Sequence, residues 1–238
     1  MKKLLFASSS MDDLIQLLQA WRFWVLSGLV GALLGGLAYV VFPPDFRARS
    51  TVLVDFNMEQ AWPVDSDREL FYYLEREARK LEEVAVSDGV LAAVADEVGG
   101  FTVNDLRSGV LELSEPADGG WHFYASDPSP ARAERLASVW AETFVTQVRG
   151  GIETAIALDA TRKALESDPA DAELLARITE LESKSLGITP ELQISPSQIS
   201  NLNPQRRVSL ATHIFVGAVA SMTLGALGIL FFGTGRRA

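Results

Sequence analysis

The sequence predicts an α+β membrane protein, in which two transmembrane helices flank one acidic extracytoplasmic domain with a small mixed sheet packed by helices, one of them long. Three observations predict it. Residues 23 to 42 and 210 to 232 contain no Asp, Glu, Lys or Arg. The chain between them is strongly acidic. Within that middle part, short β-branched runs alternate with helix-start signals.

At about 1.5 Å of rise per residue, runs of about 20 residues cross the roughly 30 Å hydrocarbon core of a bilayer. They also account for a 48% hydrophobic content that is high for a chain with 52 charged side chains. A signal peptide is the other reading of the first run. Its apolar part exceeds the roughly 7 to 15 residues usual there, and it ends in Pro43-Pro44 without a small-x-small cleavage site. A buried core helix is the other reading of the second, but a helix apolar all round needs a larger domain to hide it.

Charge sets the expected orientation. Lys2, Lys3 and Arg22 against Asp12 and Asp13 leave residues 1–22 at +1, and Arg236 and Arg237 leave residues 233–238 at +2. With −10 overall, the middle carries −13. Basic flanks stay inside, so both termini are expected in the cytoplasm and residues 43–209 on the far side of the cell membrane. Arg206 and Arg207, beside the second span, run against this rule, although a long domain crosses largely regardless of its charge. The acidic domain excludes nucleic acid as a partner and repels anionic lipid headgroups at large. With no cysteine, its fold rests on its own core and on neighbouring subunits rather than on disulfides.

Along the chain, Met11, Leu14, Ile15 and Leu18 share a helical face, read as an extension of the first span or a short interfacial helix. Residues 46–56 form a strand. Ser66 and Glu69 have capping-box spacing and open a helix running to about Val84. Ser87 caps a second, with Val90, Leu91, Val94 and Val98 on one face and Gly99-Gly100 as its stop. After a short helix at 104–108, strands at 110–114 and 121–126 pair antiparallel across a loop. Asp127-Pro128-Ser129-Pro130 starts a long helix with Ala133, Leu136, Ala137, Trp140, Phe144 and Val148 on one stripe. Gly150-Gly151 either bends or merely interrupts it. Asp168-Pro169 then opens a further helix favoured by Asp171 and Glu173, Gly187 ends it, and residues 191–194 give a last strand.

Catalytic signatures are missing. No phosphate-cradling glycine loop and no Gly-x-Ser-x-Gly elbow occur. The two histidines, His122 and His213, are too few for a zinc site without cysteine. His122 is expected at a surface or sheet edge, and His213 hydrogen-bonded to a neighbouring helix. Glu69, Glu75, Glu77, Glu82 and Glu83 alternate with Arg68, Arg76, Arg79 and Lys80, the pattern of a solvated helix face. No enzyme activity, metal or cofactor is expected. The candidate functional residues are instead small ones in the spans: Ser27, Gly31 and Gly35 in the first, with Gly28, Ala32 and Gly36 on the adjoining face, and Gly217, Ser221 and Gly225 in the second. In lipid, small residues four apart let helix backbones approach.

This order of features resembles the polysaccharide co-polymerase family, the Wzz-type chain-length determinants and related capsule and exopolysaccharide regulators. The resemblance lies in Pro44-Asp45-Phe46-Arg47-Ala48 with Thr51-Val52-Leu53-Val54 after the first span, and in Asp127-Pro128 followed by Ala131, Ala133, Ala137, Trp140, Ala141 and Phe144. It departs in having only Pro196 and Pro204 before the second span, where the family often has a tighter proline cluster. The resemblance implies a homo-oligomer in the lipid bilayer that sets the length of O-antigen, capsule or exopolysaccharide by acting on a membrane-embedded polymerase. A separate cytosolic tyrosine kinase is the alternative partner, since residues 233–238 hold no kinase, and a generic extracytoplasmic sensor is the third reading.

Overall fold

A computed structural model describes residues 21–57, 67–114, 120–167, 169–196 and 202–232. They divide into two compact units. One holds the two apolar helices, through Pro44 and from Arg206 onward; the other spans Asp45–Gln205. The expected helix at 11–18, the capping Ser66 and the loop at 115–119 lie outside the described residues.

The first unit consists of α1 (Trp21–Val41) and α7 (Leu210–Phe232). Both are long and apolar enough to cross a membrane. Their outward faces expose Leu29, Leu33, Val40, Phe215 and Leu224.

The second unit is a sheet covered on one face by helices. Its elements are β1 (Phe46–Asp55), α2 (Asp67–Ala85), α3 (Asp88–Val98), the single turn α4 (Val103–Asp105), β2 (Leu111–Leu113), β3 (Gly120–Asp127), α5 (Pro130–Ser167), α6 (Ala172–Lys184), β4 (Gln193–Pro196) and β5 (Leu202–Arg206). The strands run in the order β2-β3-β1-β4, with β5 also on β1. The β1–β3, β1–β4 and β2–β3 ladders are all antiparallel, so the parallel pairs of a mixed sheet are absent from them. Period-two alternation decides the faces: Ala48, Val52 and Val54 of β1 and Trp121, Phe123 and Ala125 of β3 are buried, while Arg47, Arg49, His122 and Tyr124 take the opposite face.

The long helix α5 covers the buried face. Its stripe from Ala133 to Val148 is buried, and Phe123 meets Trp140 edge-on at 4.7 Å between ring centroids and Phe144 at 5.1 Å. Trp140 Nε1 donates to the Ala85 carbonyl at 2.8 Å, tying α5 to the end of α2. Helix α5 continues through Gly150-Gly151 without a break, so the glycine pair is tolerated inside the helix. The reason is packing: a Cβ on Gly151 would meet Ile188 at 2.9 Å and Leu186 at 3.0 Å, so the missing side chain admits the returning loop.

Several local expectations are corrected. Helix α6 is capped by Asp171, which accepts from the amides of Glu173 and Leu174 at 2.8 and 3.2 Å; Asp168 lies outside the described residues. The last strand is shifted two residues from 191–194, and β5 follows where only a connection was expected. Pro196 and Pro204 argue against strands, yet Pro196 is the last residue of β4 and Pro204 the middle one of β5, two short strands beside β1 at the margin of the sheet, where a missing amide is tolerated. The short helix at 104–108 is one α-turn, capped by a reciprocal Thr102–Asp105 box that draws the Asp105 carboxyl below its ordinary pKa, then a wider turn that Gly109 leaves with φ of 115°.

Candidate functional site

The paired apolar helices are built on a ladder of small residues. Facing contacts recur at every fourth position on both helices. Phe23 lies against Gly225, Ser27 against Ser221, Gly31 against Gly217, and Gly35 against the His213 backbone. Ser27, Gly31, Gly35, Gly217, Ser221 and Gly225 therefore fall on one facing stripe. A Cβ on Gly31 would fall on the Gly217 carbonyl oxygen, and a Cβ on Gly217 on the Gly31 carbonyl oxygen, so each glycine is required by the other's backbone. Ser27 Oγ donates to the Ser221 carbonyl at 2.8 Å and lies 3.0 Å from Ser221 Oγ. Gly28 is also buried, against the flexible Met222 side chain, whereas a Cβ on Gly228 would meet open space.

Where α1 ends and α7 begins stands a cluster that sequence reasoning missed. Arg206 Nη1 donates to the Pro44 carbonyl at 2.9 Å, and its guanidinium lies 5.5 Å from the Tyr39 ring centroid. The His213 ring meets Tyr39 edge-on at 5.2 Å. His213 thus touches the neighbouring helix through ring packing; its Nδ1 lies 3.2 Å from Ser209 O at the start of its own helix, and the expected interhelical hydrogen bond is not the contact made. Ser209 Oγ accepts from the Thr212 amide at 3.1 Å, capping α7. Next to this cluster a groove of about 380 Å³ runs along both helices, lined by Gly35, Ala38, Val208, Thr212, His213, Val216 and Gly217. The signal for it was a Tyr in the last turn of one span and a basic pair before the other.

In the second unit, the sheet face away from α5 carries polar side chains. Arg47 pairs with Glu112 at 2.9 Å and stacks 3.8 Å over the Tyr124 ring, linking β1, β2 and β3. Thr51 Oγ1 and His122 Nδ1 are 2.9 Å apart, directly across the β1–β3 ladder. His122 therefore sits half-buried on an interior strand, not at an edge: the expected partner β2 lies on one side of β3, and β1 on the other.

Glu77 also departs from expectation. It is buried, 4% exposed, and accepts from Lys80 Nζ at 2.8 Å and Arg76 Nε at 3.2 Å. Lys80 Nζ also donates to the Gly187 carbonyl at 2.6 Å, so the pair fastens the loop after α6 onto α2. Beside it, burial raises the Tyr73 phenol above its ordinary pKa, opposed by a hydrogen bond with Thr189 and assisted by Glu77 and Glu191. Glu75 and Arg79 remain an exposed i,i+4 pair at 3.5 Å. At the β3–α5 corner, buried Asp127 accepts from the Ser129 amide and from Arg132 Nε, each at 2.7 Å, and so serves the fold.

Among the described residues no three His, Asp or Glu side chains converge to hold a metal. The arrangement offers close helix pairing, a basic aromatic cluster at the helix ends and a separate acidic unit. No family model matches the chain, and no curated protein matches it either.

Proposed function

We propose that this chain is a membrane-anchored, non-catalytic scaffold that sets the length of an exported polysaccharide. In this reading α1 and α7 insert in the cell membrane as a hairpin with both termini cytoplasmic, and the acidic unit stands on the far side. Copies associate there and alter how long a membrane-embedded polymerase retains its growing glycan. The observation that carries it is the bracketing of one α+β unit by two long apolar helices, in an order that resembles the co-polymerase family at residues 44–54 and 127–144. The charge balance supports the orientation, because the basic termini favour the cytoplasm and the −13 lies between the helices.

The test is deletion of the gene followed by electrophoresis of the surface polysaccharide. The expected result is a changed length distribution, restored by the intact gene. An unchanged distribution and yield would overturn the proposal.

A further inference from the structure

The sheet of the second unit has α5 along the face of Val52 and Phe123, and the described helices leave its other face uncovered. That face carries Leu53, 45% exposed, and two arginines, Arg47 and Arg49. Arg47 is answered by Glu112 and stacks on Tyr124. Arg49, opposite Tyr124 in the β1–β3 register, has its Nε buried without a hydrogen-bond partner, and no carboxylate pairs with it. Asp55, at the far end of the strand, accepts from the Asn57 amide. Elsewhere in this unit cations are met at once, Lys80 by Glu77, Arg132 by Asp127 and Arg162 by Glu182. The outer side of α5 has the opposite character. Trp140 and Phe144 face the sheet, and helical periodicity puts Glu134, Ser138 and Glu142 on the far side, where both carboxylates are exposed. Ser138 Oγ donates to Glu142 at 3.1 Å, the neighbouring Arg135 donates to the Glu97 carbonyl, and no cation pairs with Glu134 or Glu142.

We propose that these two faces are the halves of one contact, in which the uncovered sheet face of one copy seats the Glu134–Glu142 side of α5 from the next. The inference rests on the reading of the chain as a self-associating scaffold. Charge complementarity selects the occupant. The chain between the apolar helices carries −13, so copies repel one another unless an unanswered cation meets a carboxylate where they touch. Screening confines the general repulsion to about 8–10 Å, whereas Arg49 acts at contact. A helix laid on the sheet face also covers the exposed Leu53. Because the two faces differ and lie on opposite sides of the unit, the contact is heterologous, and each copy has a neighbour on either side.

The experiment measures the mass of the full chain in dodecyl maltoside by sedimentation velocity. The expected result is an associating wild type. Arg49→Glu in one variant, and Glu134→Arg with Glu142→Arg in another, each weaken association about tenfold or more. Mixing the two variants restores it, because the acid on the sheet face of one meets the arginines on α5 of the other, and the native pair forms at the alternate contact. A variant that merely misfolds is not rescued by mixing. Association that survives Arg49→Glu, or two weakened variants whose mixture stays dissociated, overturns the inference. So does retention of polygalacturonate fragments by the wild type that Arg49→Glu abolishes, which assigns the face to an acidic glycan instead. A wild type that stays monomeric at every concentration contradicts the self-association reading itself, and the inference with it.

Discussion

Ser27 Oγ donates to the main-chain carbonyl of Ser221 at 2.8 Å, across a helix pair whose residues are 194 positions apart in the chain. That bond lies one step of four from the Gly31–Gly217 contact, so a hydroxyl is satisfied where two backbones already touch. In hydrocarbon an unpaired hydroxyl is costly, and here the close approach itself supplies the acceptor.

The helix pairing is testable because the chain has no cysteine. With Ser27→Cys and Ser221→Cys, mild oxidation in membranes is expected to close a disulfide within one chain, visible as a faster band of monomer size on a non-reducing gel. Adding Gly31→Leu should abolish most of that band, since the new side chain has no room beside the Gly217 carbonyl. Cross-links only between chains would contradict the pairing.

Trp140 is the clearest single point of the second unit's core. Trp140→Phe keeps the ring contact with Phe123 but leaves the Ala85 carbonyl unpaired, at an expected cost of about 1–3 kcal/mol. Urea unfolding followed by far-UV circular dichroism measures it; an unchanged midpoint would contradict the account.

Lys80→Met removes both the Glu77 ion pair and the bond to Gly187. The expected loss is about 1.5–3 kcal/mol, toward the lower end because the Lys80 side chain is 31% exposed. Hydrogen exchange should show amides 185–192 exchanging faster while those of α3 are unchanged. Uniform exchange rates would argue that Glu77 and Lys80 do not hold that loop.

The Tyr73 phenol, with its pKa raised by burial, is held neutral in the folded chain. Its contribution to stability is whole below about pH 10 and is lost as pH rises through the folded value. Tyr73 is therefore expected to ionise above the ordinary tyrosine range. Tyrosinate absorbance checks it: Tyr73→Phe should delete a phenol that titrates above that range, and loss of one that titrates within it would contradict the assignment.

What the sequence disclosed follows from how local its signals are. The apolar helices were legible because the absence of charge over some 20 residues needs no partner to interpret. The α5 stripe was legible because spacings of three and four place its residues on one face, and the small-residue ladder for the same reason. Burial of Glu77 was not legible, because its helix alternates charges like a solvated surface and only the return of residues 187–191 from over 100 positions away covers it. The β5 strand was hidden by Pro204, whose missing amide is harmless only once the sheet shows which positions need no donor. The Tyr39–Arg206–His213 cluster depends on two helix ends meeting, which no single window of sequence contains.

In the proposed function α1 and α7 cross the membrane and hold the Asp45–Gln205 unit on the far side. The direct measurement is labelling of single-cysteine variants in spheroplasts with a membrane-impermeant maleimide, placing Lys163→Cys on the exposed face of α5 and Lys3→Cys in the N-terminal tail. The account predicts that position 163 labels in intact spheroplasts and position 3 only after lysis. Labelling of position 163 only after lysis would contradict it.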